Sequence, residues 1–197
     1  GSEMCIRDRS VPLPEDTSIV VMDTAVRRGL VSSAYNERVQ QCQTAAAYFG
    51  VPSLREVSME MLDSRSSGLD ELIFRRARHV VSENLRTLKA STAMREGDGD
   101  AFGRLMSASH ASLRDDYEVS CRELDIMVEL ALEQKGCLGA RMTGGGFGGC
   151  AIALVQTLWA EPLIRQVTAA YTQAVQLKPD LFVCRASTGA NMISGSS

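Results

Sequence analysis

Thr143-Gly144-Gly145-Gly146-Phe147-Gly148-Gly149 sets the strongest limit on how this chain can fold, because five of the six residues from Gly144 are glycine. Glycine reaches positive φ without steric cost and presents its N–H with no side chain in the way. Such a loop can wrap an anion or lie tightly against another backbone. Gly144, Gly146 and Gly149 satisfy G-x-G-x-x-G, but the dinucleotide fingerprint requires a helix after the last glycine. In this chain the next six residues, Cys150-Ala151-Ile152-Ala153-Leu154-Val155, form a continuous apolar run that suits a buried strand. No Lys-Ser/Thr pair stands after the glycines, which excludes a Walker-type loop. Two readings stay open from the pattern: a tight connection between strands packed on another loop, or a cradle for phosphate.

The rest of the chain supplies the elements around this loop. Ser18 to Thr24 reads as a buried strand. Val31, Tyr35, Val39, Cys42, Ala46 and Phe49 recur at helical spacing before Gly50 and Pro52, with Ser32 and Ser33 at the start. A second helical stretch after Gly68 puts Leu69, Leu72, Ile73, Ala77, Val80, Val81 and Leu88 on one side. Arg75, Arg76, Arg78 and Glu83 fall on the other. Residues 98 to 117 and 121 to 135 read as helices with Asp98 and Ser120 as caps. Ala140 to Thr143 leads into the glycine loop. A helix from Leu158 to Val175 and a strand from Leu181 to Cys184 close the series. This order predicts an α+β fold with helices on one face of a mainly antiparallel sheet. The domain is expected to span 11 to 189, with 1 to 10 a junction outside the fold and 190 to 197 a polar tail.

With 197 residues, 45% hydrophobic and 23% charged, the chain has apolar material for one sizeable core. A net charge of -3 with scattered Lys and Arg gives no footprint for nucleic acid or an anionic membrane. No apolar run approaches the roughly 20 residues of a membrane-spanning helix, so a cytoplasmic location is expected. Six cysteines without a C-x-x-C pair, beside two histidines, point away from disulfides and zinc. Cys42 and Cys150 read as small buried hydrophobes.

Arg141-Met142-Thr143-Gly144-Gly145-Gly146-Phe147-Gly148-Gly149-Cys150-Ala151 closely resembles the third signature motif of the GHMP kinases. Three more stretches resemble the galactokinase branch of that family. They are Arg28-Gly29-Leu30-Val31-Ser32-Ser33-Ala34-Tyr35-Asn36-Glu37-Arg38 with Gln41-Cys42, Arg75-Arg76-Ala77-Arg78-His79-Val80-Val81-Ser82-Glu83-Asn84, and Ser109-His110-Ala111-Ser112-Leu113-Arg114-Asp115-Asp116-Tyr117-Glu118-Val119-Ser120-Cys121. Four motifs in family order, over about Leu13 to Gly189, are far more specific than one glycine loop. The resemblance implies a ferredoxin-like GHMP C-terminal domain from an enzyme that moves the γ-phosphoryl of ATP, with Mg2+, to the anomeric hydroxyl of galactose.

Carried over residue by residue, the resemblance makes Tyr35 a wall of the galactose pocket; without it, Tyr35 reads as a core aromatic. It places Gly144, Gly145, Gly146, Phe147, Gly148 and Gly149 beside the nucleotide phosphates. The family's sugar-binding motif, ATP loop and catalytic Asp with its Arg belong to an N-terminal domain, so no catalytic residue and no metal ligand is expected in this chain, which alone should be inactive. A galactose- and ATP-sensing relative without turnover is the alternative. His79 and His110, both in helical stretches, read as structural rather than as general bases. Asp115 and Asp116 point about 100° apart on a helix and suit salt bridges, with Arg114 at hand, better than a metal pair.

Overall fold

The computed structural model describes residues 11–27 and 31–184. The junction read at 1 to 10, the tail at 190 to 197 and Arg28-Gly29-Leu30 lie outside the described residues. The chain runs β1 (Thr17–Asp23), α1 (Val31–Phe49), α2 (Met59–Ser64), α3 (Glu71–Arg95), α4 (Gly99–Asp115), α5 (Arg122–Leu132), β2 (Cys137–Met142), β3 (Cys150–Gln156), α6 (Ala160–Val175) and β4 (Asp180–Cys184). The strands lie in the order β2-β3-β1-β4 and every pairing is antiparallel. This is the ferredoxin-like split β-α-β arrangement, with the first crossover enlarged to five helices.

Sequence spacing explains most of these elements. In β1, Val20 and Met22 point into the core while Ile19 and Val21 on the other face are half-buried, the period-2 alternation of a strand. Asp98 caps α4, its Oδ1 accepting from the Ala101 amide at 2.8 Å, and Asp70 caps α3 through the amides of Leu72 and Ile73. Where α4 crosses β2, a Cβ at Gly103 would run into the Leu138 carbonyl, and one at Gly139 into Gly103. Only glycine at both positions permits so close a crossing.

Two apolar clusters result. One lies between the sheet and α5 and α6, centred on Val20, Met22, Leu124, Met127, Leu163, Val167 and Tyr171. The other joins α1, α2 and α3 through Ala45, Phe49, Leu62, Ala77 and Val81. No helix of the described residues is long and apolar enough to cross a membrane.

Several expectations are corrected. Ser120 does not cap α5: Cys121 occupies that position, and the Ser120 hydroxyl donates to Asp125 instead at 2.5 Å. The periodicity of α1 marks a helix but not one continuous buried stripe, since Tyr35 is 58% and Val39 38% exposed while Ala46 and Phe49 are buried. On α3, Leu88 is exposed although it shares the apolar side, and Arg76 is 1% exposed although it shares the polar one. Arg76 tolerates burial because every part of its guanidinium finds an acceptor. Cys42 and Cys150 are half-buried rather than buried. The short α2, capped by Ser58 on the Met61 amide, has no counterpart in the sequence pattern, because six residues are too few to show a period. The last helix begins at Ala160, after a 3-10 turn at Thr157–Trp159.

Candidate functional site

The glycine loop is the turn between β2 and β3, closed by the Thr143 amide donating to the Cys150 carbonyl at 2.9 Å. Gly144, Gly146, Gly148 and Gly149 all have positive φ, and so does Phe147 at 60°. The loop is a connection between neighbouring strands and is packed on other loops, as one of the two open readings holds. Thr24, fully buried at the end of β1, binds the Gly149 carbonyl through both its amide (3.0 Å) and its hydroxyl (2.6 Å). The Gly149 amide donates to the Val26 carbonyl at 3.1 Å, and the Phe147 amide to the Val119 carbonyl at 2.7 Å. Tyr171 secures Thr24 from below, its hydroxyl donating to the Thr24 carbonyl at 3.1 Å.

These contacts leave the amides of Gly144, Gly145, Gly146 and Gly148 without a hydrogen bond among the described residues. The loop, Val26 and Arg27 line an open cleft of about 480 Å3. Arg27 stands at its edge, its guanidinium paired with both Asp23 carboxylate oxygens at 2.5 and 2.8 Å. That hydrogen bond holds the Asp23 carboxyl below its ordinary range. Unpaired backbone amides in such a loop form an anion-binding concavity, while the Arg27 charge at its edge is already matched by Asp23. The residues present therefore fit the phosphate end of a nucleotide. Among the described residues no group of three or more His, Cys, Asp or Glu is placed to hold a metal ion.

Tyr35 is exposed on α1 and does not line the glycine-loop cleft. One turn further on, Arg38 is buried and donates to the Tyr117 and Glu118 carbonyls. Arg76 from α3 reaches the same turn, donating to the Asp116 carbonyl and the Glu118 carboxylate. The segments quoted around Tyr35, Arg76 and Tyr117 thus converge in space. Sequence reasoning gave Thr24, Arg38, Arg76 and Val119 no role. Arg38, Arg76 and Val119 stood inside those segments, whereas Thr24 carried no signal beyond ending a strand.

The two histidines are structural in their contacts. His79 stacks on Tyr117 with ring centroids 4.4 Å apart, and burial pulls its pKa down to about 4. Its Nδ1 lies 3.0 Å from Ser112 Oγ, and that hydroxyl donates to Asp116 at 3.1 Å. His110 Nδ1 accepts the Met142 amide at 3.3 Å, and its Nε2 lies 3.3 Å from Asp125 without hydrogen-bond alignment. Burial lowers its pKa as well. Asp115 pairs with Arg114 at 2.8 Å, as the sequence suggested, and Asp116 pairs with Arg78.

Residues 90–173 match the family described as GHMP kinases C terminal. The chain is 44% identical over 190 residues to a galactokinase of Roseiflexus sp. (strain RS-1), covering 94% of this chain and 49% of that protein. The crystal structure of Lactococcus lactis galactokinase complexed with galactose matches with a TM-score of 0.83 at 43% identity, over 86% of this chain and 45% of that one. The crystal structure of L. major mevalonate kinase in complex with R-mevalonate shares the fold, with a TM-score of 0.55 at 21% identity, over 90% of this chain and 44% of that one. The chain spans about half the length of the relatives it matches.

Proposed function

We propose, for a chain that carries the C-terminal domain of the GHMP kinases, that it is the C-terminal half of a galactokinase, which transfers the γ-phosphoryl of ATP to galactose. In this reading Tyr35 forms part of the sugar pocket, and Gly144 to Gly149 lie beside the nucleotide phosphates. The observation that carries it is the agreement with the galactose-complexed Lactococcus lactis enzyme at 43% identity. The four unpaired loop amides support the phosphate side, since oriented N–H groups favour a developing or resident anion without reorganising.

In this reading the catalytic Asp and the loop that helps place magnesium belong to the other half of the enzyme. Phosphoryl transfer depends on positioning and charge stabilisation, so half of the constellation gives no turnover. The 197-residue chain should show no galactose-dependent ATP consumption. Joined in frame to the N-terminal half of the Roseiflexus galactokinase, it should phosphorylate galactose. A folded fusion that consumes no ATP with galactose would count against this reading.

A further inference from the structure

One backbone turn is held by arginines along its whole length. Arg75 donates to the Asp115 carbonyl at 3.0 Å, and Arg76 to the Asp116 carbonyl at 2.5 Å. Arg38 donates to the Tyr117 carbonyl at 2.6 Å and to the Glu118 carbonyl at 3.0 Å. Four consecutive carbonyls thus end on guanidinium groups from α1 and α3. Gln41 links the two helices, accepting from Arg76 Nε at 3.0 Å, and the Glu118 carboxylate takes Arg75 at 2.6 Å and Arg76 at 2.7 Å. The fifth carbonyl in the series, that of Val119, accepts the Phe147 amide of the glycine loop.

The conformation at both ends of this connection is unfavourable in isolation. Glu118 has φ 53° and Phe147 φ 60°, the left-handed region in which a Cβ crowds the neighbouring carbonyl oxygen. Such residues persist where surrounding contacts over-determine them. Arginine suits the task because its planar fork serves several acceptors at once, which an ammonium on a flexible stem does not.

We propose that Arg38 and Arg76 are positioning residues for the glycine loop: by fixing the turn from Asp115 to Glu118 they set the Val119 carbonyl, which holds Phe147 and aims the unpaired loop amides. Arg38 lies three residues after Tyr35 on α1, so the same clamp ties the helix of the sugar side to the loop of the phosphate side. The kinetic part of this inference rests on the function proposed above; the structural part does not.

Arg76→Lys and Arg38→Lys keep the charge and remove the fork. Amide hydrogen exchange of the 197-residue chain should show Phe147 exchanging on the order of tenfold faster in either variant, with β1 and β3 amides unchanged. If one variant fails to fold, the other carries the test. In the fused kinase, Arg76→Lys should raise KM for ATP on the order of tenfold with kcat changing less, a split that a stability defect alone does not produce. Phe147 exchange that is unchanged, or that rises only in step with the strand amides, overturns the clamp itself. Selective exchange at Phe147 with an unaltered KM for ATP overturns the link to phosphate, and locates the failure in the reading of the loop.

Discussion

The Val119 carbonyl accepts the Phe147 amide at 2.7 Å, and a Cβ on the preceding Gly146 would fall on that same oxygen. One carbonyl therefore both anchors the loop and dictates glycine beside the anchor. A run of glycines is flexible by itself; here Thr24, Val26 and Val119 reduce it to one shape. Its conformational entropy is lost on folding, so the amides it leaves unpaired are already aimed when a ligand arrives.

Gly144 and Gly146 separate strain from collision. Both have φ near the left-handed region, 82° and 85°, but open space surrounds a Cβ at Gly144. Gly144→Ala should cost about 1 kcal/mol, the backbone strain alone, whereas Gly146→Ala should cost on the order of 3 kcal/mol because Val119 must also move. Urea unfolding of the two variants measures this. Equal losses would mean that the Val119 contact does not constrain the loop.

His79 makes stability depend on pH with a definite sign. Burial lowers its pKa from 6.5 to about 4 in the folded chain, so as pH falls the unfolded chain takes up the proton first. Its contribution is complete above pH 6.5 and is lost as pH drops toward 4, amounting to about 3 kcal/mol at most. His110, also lowered by burial, acts with the same sign. Melting temperatures between about pH 7 and about pH 4.5 should fall steeply in the wild-type chain and less steeply in His79→Gln. Identical slopes would show that His79 is protonated as readily folded as unfolded.

Periodicity revealed the elements whose burial is regular. β1 and β3 could be read because their apolar residues form short runs, and α1 as a helix because its apolar residues recur at the helical turn, although not which of those α1 residues are buried. It misjudged Arg76, whose burial depends on carbonyls brought in by a turn far along the chain. Thr24 was equally illegible: its task depends on Gly149 arriving beside it when β1 pairs with β3. The glycine loop announced a special backbone, but not which amides would remain unpaired, because its partners Val26 and Val119 come from two other segments. Tyr35 drew its role from resemblance alone, and the helical stripe it shares is not buried as its spacing predicts.

In the proposed kinase Tyr35 stands on the sugar side and the glycine loop on the phosphate side, and steady-state kinetics of the fused protein test that division directly. Tyr35 is 58% exposed, so Tyr35→Ala should change stability by less than about 0.5 kcal/mol while raising KM for galactose on the order of tenfold and leaving KM for ATP within about threefold. Gly144→Ala, which puts a methyl group into open space on the loop, should do the reverse, raising KM for ATP and sparing galactose. Both constants moving together in both variants, or neither moving in either, would contradict the assignment of two separate sides to this domain.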